Sequence, residues 1–238
     1  MKSYRSLLLL LLLGKVGLSQ DVETFFDQTN TFLKTHVSNG KVDYAAISQN
    51  MEGIKEILVL ASKVRVSKDD PTTYQAFWIN AYNLSVIKGI ASKYPIKSPL
   101  DITGFFDKTT YDLAGTSITL NDIENKNLRG NFDDARFHFV LVCAGLGCPP
   151  IIKDAYLPST LDAQLTEQTR KAINDPNFIQ VNDKRKRVAF SQIMEWYNED
   201  FTKNGQSLIE YANQYRVQKI PSDYKTSFYE YDWRLNSK

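Results

Sequence analysis

The sequence predicts an α+β protein: a helix-rich single domain with a buried central helix and a small, mostly antiparallel sheet. Several stretches repeat apolar residues at helical spacing, residues 71–93 are apolar on nearly all sides, and a few short stretches alternate apolar and polar residues. Hydrophobic residues make up 42% and charged residues 24% of the chain, a balance typical of globular proteins that argues against disordered and fibrous folds.

The first 19 residues predict a secretory signal peptide. Lys2 and Arg5 precede an unbroken run of leucines at residues 7–13, and small residues follow at Gly17 and Ser19, where a signal peptidase would cleave. The apolar run is far shorter than the roughly 20 residues of a membrane span, so no stable span is expected after cleavage. We therefore expect an exported protein, periplasmic or extracellular, with residues 20–238 as one domain and its core at about residues 70–203.

The first half of that domain predicts helices. Residues 22–37 carry aromatic residues at helical spacing and predict an amphipathic helix that ends near Gly40, while residues 43–64 predict one helix or a pair. A third helix begins at Pro71, a residue favoured in the first helical turn, and stops before Pro95. Because this third helix is apolar nearly all round, it is the predicted buried central helix.

The middle of the chain predicts a loop at residues 99–116 and a short strand at 117–120. Residues 121–124 resemble a helix start, with a glutamate three places after the capping Asn121. Residues 136–143 are apolar at nearly every position, which predicts the best strand in the chain, covered on both faces.

The remaining elements are a helix, a hairpin, two further helices and a terminal strand. The first helix is predicted at residues 159–174, and the hairpin pairs residues 179–182 with 187–190. One further helix follows the capping Ser191 and the other lies at 206–215, while the terminal strand lies at 227–233.

Seven stretches, in this order, resemble the domain-of-unknown-function family 547 (DUF547). They are GKVDY at 40–44, AFWINAYN at 76–83, ITLNDIE at 118–124, RFHFVLVC at 136–143 running to CPP at 148–150, LDAQL at 161–165, SQIMEWYNEDF at 191–201, and YDWRLN at 231–236. The resemblance covers nearly the whole chain after the signal peptide. It implies an often secreted bacterial family without a settled activity, with a distant likeness to papain-like thiol hydrolases. Those enzymes place a cysteine before a tryptophan at the start of a buried helix, where this chain has Ala76, Phe77 and Trp78.

Cys143 and Cys148 are the only two thiols of the chain, and they lie five residues apart. In an oxidising compartment they can form a disulfide. The alternatives are a catalytic or redox-active thiol and a pair of inert buried thiols.

His138 is the only histidine near these thiols, and a polar ring among aromatic neighbours needs a partner. It is either a hydrogen-bonded core residue or a general base. In the predicted strand an odd separation places His138 and Cys143 on opposite faces. Cys148, beyond a glycine-rich bend, is therefore the better nucleophile for a Cys–His pair, and Cys143 the better packing residue.

Other polar and aromatic residues of the motifs complete the candidate site. Asn80 and Asn83 lie close together around the central helix, where they either satisfy a neighbouring loop or line a pocket. Glu124 is either a helix-capping residue or a group that orients His138. The remaining pocket candidates are Trp78, Tyr197, Asp200, Asp232 and Trp233. Core packing and helix ends are the alternative explanation for the last four.

Two functions from different classes follow. The first is a thiol-dependent hydrolase or acyl-transferase with Cys148 attacking, His138 as base, and Asn80 or Glu124 assisting. The second is a non-catalytic periplasmic binding or scaffold domain with a structural Cys143–Cys148 disulfide. Dithiol redox exchange is a third possibility. An unidentified small molecule or peptide is the expected partner. No cofactor, no metal and no nucleic acid is expected, since the formal charge is only +2 and no zinc or phosphate-binding motif is present.

Overall fold

The computed structural model describes the backbone of residues 3–238 and the side chains of residues 20–203 and 205–238. The predicted signal peptide at residues 1–19 lies outside the part of the chain whose side chains are described, and it stays a prediction. In the described part, no helix combines the length and the apolar character that a membrane span requires.

The predicted α+β class is confirmed, and four helices form its first half. They are α1 (Ser3–His36), α2 (Tyr44–Gln49), α3 (Glu52–Lys63) and α4 (Pro71–Ala91). Helix α4 begins where Asp70 accepts a hydrogen bond from the backbone N–H of Thr73, with Pro71 in the first turn. Fifteen of its residues are buried, so α4 is the buried central helix that its apolar character predicts.

In the described part of the chain the strands form three small sheets, where the sequence suggested one. Two antiparallel hairpins pair β1 (Val37–Ser38) with β2 (Lys41–Val42) and β3 (Thr110–Leu113) with β4 (Thr116–Thr119). The third sheet has the order β5 (Ile179–Asn182), β6 (Arg187–Ser191), β7 (Lys225–Tyr229). Its first pair is the predicted antiparallel hairpin, and β6 pairs with β7 in parallel.

The segment predicted as the best strand is not a strand. Residues Ala135–Phe139 form a 3-10 helix, capped by the Asp134 carboxylate, which accepts from the N–H of Arg136. The chain then runs irregularly beside α4, where Asn83 donates to the carbonyl of Val140 and accepts from the N–H of Val142, each at 2.9 Å. One buried amide thus satisfies backbone groups that a neighbouring strand would otherwise satisfy.

A short helix continues into a π-helix after β4. Helix α5 (Leu120–Asp122) leads into the π-helix Ile123–Arg129, and Thr119 caps it by accepting from the N–H of Asp122 at 3.1 Å. The predicted helix start at Asn121 was therefore two residues late. Four more helices follow: α6 (Leu161–Asn174), α7 (Gln192–Trp196), α8 (Asn198–Phe201) and α9 (Leu208–Tyr215). The predicted Ser191 cap of α7 is confirmed.

The last described residues lie along the loop that joins the two cysteines. The N–H groups of Leu146 and Gly147 donate to the carbonyls of Arg234 and Asp232, each at 2.8 Å, and Asn236 donates to the carbonyl of Ala144. A Cβ on Gly147 would lie 2.8 Å from ring carbons of Tyr231 and 2.9 Å from the backbone nitrogen of Asp232. The glycine therefore permits the close approach of the two segments.

Candidate functional site

A cavity of about 420 Å³ lies where the central helix, the π-helix, the cysteine loop, α7 and the C-terminal segment meet. Its volume falls in the range of small-molecule sites. The lining residues are Tyr82, Phe106, Asn121, Glu124, His138, Leu141, Cys143, Cys148, Ile193, Trp196, Tyr197 and Trp233. Six of the residues singled out from the sequence are among them: His138, Cys143, Cys148, Glu124, Tyr197 and Trp233.

A disulfide joins Cys143 and Cys148 in one wall of this cavity, with their Cα atoms 6.4 Å apart. The backbone N–H of Cys143 donates to Sγ of Cys148 at 3.0 Å, and the hydroxyl of Tyr231 lies 2.7 Å from Sγ of Cys143. Since a disulfide sulfur carries no proton, the tyrosine is the donor in the second contact. The bonded form leaves neither sulfur free as a nucleophile.

His138 finds its polar partner in Asp200, with Nε2 of the ring 2.7 Å from Oδ2 of the carboxylate. The same oxygen accepts from Nε of Arg129 at 2.6 Å. The hydrogen bond from His138, and then that from Arg129, holds the pKa of Asp200 far below its usual range despite partial burial. Burial works against the charge of Arg129, but the hydrogen bond and the charge of Asp200 outweigh it and raise the pKa of the guanidinium. These three side chains form a compact ionic group, of which His138 alone is among the residues that line the cavity.

Tyr197 connects the ionic group to Glu124. Its ring stacks on His138 with centroids 4.0 Å apart, and the guanidinium carbon of Arg129 lies 4.7 Å from its centroid. Burial, followed by the charge and hydrogen bonding of Glu124, raises the pKa of the Tyr197 hydroxyl. Burial and then Glu124 likewise raise the pKa of Tyr82. The Glu124 carboxylate therefore acts on two phenols of the cavity wall.

Local backbone geometry places these groups. Glu124 and Arg129 lie at opposite ends of the π-helix, a conformation that is rare and often occurs at functional sites. Nη1 of Arg129 also donates to Oδ1 of Asn125 within the same element. The π-helix therefore presents one acidic and one basic side chain toward Tyr197.

Aromatic rings form the outer part of the cavity. Trp196 and Trp233 stack with centroids 5.9 Å apart, Phe106 lies 6.3 Å from Trp233, and Tyr231 packs 4.5 Å from Trp233. Trp196 is 47% exposed although it is among the largest apolar side chains. An exposed tryptophan beside a cavity marks a surface that can receive a ligand.

Asn80 and Asn83 do not line the cavity. Asn80 donates to the carbonyls of Ala76 and Tyr156 and accepts from the N–H of Tyr156, so its amide is fully used by its own helix and a neighbouring loop. Asn83 holds the backbone at residues 140–142 as described above. Both therefore have the structural role that was one of the two expectations.

Trp78 and Asp232 also lie away from the cavity. Trp78 packs in the core against Phe77 and Tyr74. Asp232 forms an ion pair with Arg234, with Oδ2 2.6 Å from Nη2. The backbone carbonyl of Asp232 accepts a hydrogen bond from the N–H of Gly147.

Cys148 was expected to pair with His138, and the structure brings the two residues to one cavity without pairing them. Both residues line the cavity, but no hydrogen bond joins His138 to either sulfur, and the ring instead binds Asp200. The opposite-face argument for His138 and Cys143 assumed a strand that the structure does not have. In its bonded form the site can bind and orient a ligand, whereas a Cys–His reaction requires an open disulfide.

Sequence reasoning missed several groups of the cavity. Arg129, which contacts the lining residue Tyr197, stood outside every quoted motif, and Phe106 lay in a segment predicted as a loop. Tyr82 and Trp196 stood within quoted motifs, and Trp196 directly precedes the pocket candidate Tyr197. Only the motif membership of Tyr82 and Trp196 could have indicated them.

Comparison with known families identifies one region. Residues 67–173 match the family described as "Protein of unknown function, DUF547". The predicted resemblance to DUF547 is thus confirmed over less than half of the 238-residue chain, a shorter span than the motifs suggested. The matched region includes Tyr82, Glu124, His138 and both cysteines. Comparisons with curated proteins and with solved structures found no match.

Proposed function

We propose that this chain is an exported binding domain that holds a small molecule or a peptide segment in the aromatic cavity, with Cys143–Cys148 as a structural disulfide. The observation that carries the proposal is the cavity itself, an opening of about 420 Å³ lined by five aromatic residues together with a disulfide. Most small-molecule sites are concave, largely apolar, and carry a few fixed polar groups, and this cavity has all three properties. Export is supported by the leader-like residues 1–19 and agrees with an oxidised cysteine pair.

Two of the three tryptophans of the chain line the cavity, so tryptophan fluorescence and thermal unfolding both report on its occupancy. We would screen the oxidised protein with a fragment set of amines, sugars and aromatic acids. Ligands should raise Tm and change the fluorescence of the native protein.

The Trp233→Ala variant should lose these responses, because it removes a wall of the cavity. Phe228→Ala is the control, since Phe228 is an exposed aromatic on β7 that does not line the cavity. Ligands that bind Trp233→Ala as tightly as the native protein would overturn the proposal.

A thiol-dependent hydrolase or acyl-transferase is the second candidate, favoured by the His138–Asp200 pair in the same cavity as both sulfurs. It requires a dithiol reductant to open the disulfide. The Cys148 thiolate would then attack an acyl carbon and form a thioester, Nδ1 of His138 would carry the thiol proton to the departing alcohol, and water would release the acid.

The test compares ester hydrolysis by oxidised and reduced protein, with p-nitrophenyl acetate as probe. Hydrolysis should appear only after reduction and should be lost in Cys148→Ser and His138→Ala. His36→Ala is the control, since His36 is the other histidine and packs on Phe32 at the end of α1. Equal rates in reduced native protein and Cys148→Ser would exclude this candidate.

A further inference from the structure

Glu124 is the cavity carboxylate that has no ionic partner. Asp200, the acid of the neighbouring ionic group, is bound by both His138 and Arg129. Within the described part of the chain, no lysine, arginine or histidine nitrogen lies within 4.0 Å of the Glu124 carboxylate. Glu124 nonetheless raises the pKa of both neighbouring phenols, so its negative charge acts within the cavity. The cavity lining therefore carries one carboxylate without a direct ion pair beside aromatic walls, and the charge of Arg129 acts on it only from a longer distance.

Aromatic walls and a lone carboxylate are the two features that recognise an organic cation. The face of an aromatic ring is negative and attracts a cation within about 6 Å of its centroid, with tryptophan the strongest. This chain already shows such a contact at the site, where Arg129 lies 4.7 Å from the Tyr197 centroid. Trp196, Trp233, Phe106 and Tyr82 supply further rings on the same cavity.

The other charges do not oppose a bound cation strongly. Arg129 lies against the Tyr197 ring and is not among the residues that line the cavity. Its guanidinium is paired with Asp200 at 2.6 Å, on the same carboxylate oxygen that His138 contacts. A neutral ligand would leave the Glu124 charge desolvated without compensation, whereas an ammonium group would compensate it.

We propose that the ligand of this cavity is an organic cation of the alkylammonium class. Its charged group lies between the aromatic rings and Glu124, and its apolar part contacts Leu141, Ile193 and the disulfide. The cavity is larger than a trimethylammonium group, so it has room for an apolar part of the ligand, and a small cation without that part still tests whether the site recognises the charge. This inference rests on the proposed binding function and names the chemical class of its ligand.

The test compares two probes of the same shape and different charge. Choline is a cation, and 3,3-dimethylbutan-1-ol is its neutral isostere. We would measure the affinity of the oxidised native protein for each by ligand-observed NMR and by the shift in Tm. The native protein should bind choline at least tenfold more tightly than the neutral alcohol. This comparison needs no variant and so does not depend on how any substitution folds.

Variants then assign the effect to Glu124. Glu124→Gln keeps the shape of the side chain and should weaken choline binding at least fivefold without changing the affinity for the neutral alcohol. Glu56→Gln, which removes an exposed carboxylate of α3 outside the cavity, should leave both affinities unchanged.

Equal affinity for choline and the alcohol, or full choline affinity in Glu124→Gln, would overturn the cation inference while leaving a binding cavity intact. Absence of choline binding would also overturn it. The broader binding proposal fails separately, in the fragment screen with Trp233→Ala, so the two failures are distinguishable.

Discussion

Asn83→Leu should destabilise the protein strongly, because one amide holds the irregular segment that forms a wall of the cavity. Asn83 is only 4% exposed. Its amide donates to the carbonyl of Val140 and accepts from the N–H of Val142, each at 2.9 Å. Leucine has the same number of side-chain heavy atoms and the same branching as asparagine, so it fills the space and excludes a water that could replace the lost bonds.

The expected magnitude follows from the two backbone groups that lose their partner. A buried polar group left unsatisfied costs about 1–3 kcal/mol, so the pair costs about 2–6 kcal/mol. A typical domain has only about 5–15 kcal/mol of unfolding free energy. The substitution should therefore remove a large fraction of the total.

The assay is urea unfolding followed by both circular dichroism and tryptophan fluorescence. Gln75→Met is the matched control: it also replaces an amide of α4 with an apolar side chain of similar shape, but its bond to the carbonyl of Pro71 is local and exposed. The control should change the unfolding free energy by less than about 0.5 kcal/mol. A loss below about 1 kcal/mol in Asn83→Leu would refute the view that this amide holds the segment.

Three further changes test the ionic group, the packing of the C-terminal segment against the cysteine loop, and the disulfide. Asp200→Asn should cost about 2 kcal/mol at neutral pH. The pKa of Asp200 in the folded protein lies below its ordinary value of 3.8, so the carboxylate contributes its full stabilisation above pH 3.8 and loses it as the pH falls further. The unfolding free energy should therefore fall more steeply with acidification in the native protein than in the variant. Gly147→Ala should cost about 1–3 kcal/mol by urea unfolding, whereas Gly53→Ala, with nothing within 4 Å of its Cβ, should be neutral or slightly stabilising; equal effects would contradict the packing argument. Replacing both Cys143 and Cys148 by serine frees a short loop and should cost about 2 kcal/mol, a fall in Tm of about 4–8 °C by calorimetry; an unchanged Tm would show that the bond does not stabilise the fold.

Most elements of the fold could be predicted from local pattern, and the main error has a clear physical cause. The apolar run at residues 136–143 predicted a strand, because periodicity alone does not separate a buried strand from other buried segments. The structure instead uses the Asp134 cap to start a 3-10 helix and the Asn83 amide to satisfy the following backbone. Asn83 lies more than fifty residues earlier in the chain, so no local pattern could show this pairing.

Only part of the candidate site could be predicted, because its other contacts also join residues that are distant in the sequence. The resemblance indicated His138, Tyr197 and Trp233, which the fold brings to one cavity. It gave no sign that Arg129 shares Asp200 with the histidine, because that contact joins the end of the π-helix to α8. Distant contacts between ordinary charged residues depend on tertiary structure and leave no trace in spacing.

The placement of the C-terminal segment beside the cysteine loop has a consequence for biosynthesis. A ribosome makes residues 144–147 long before it makes residues 232–236, which bind them. During that interval the loop lacks the backbone hydrogen bonds that residues 232–236 later form with it, and Trp233 is not yet available to enclose the cavity. The nascent chain can therefore form its central helix early, but it encloses the cavity only after residues 232–236 have emerged.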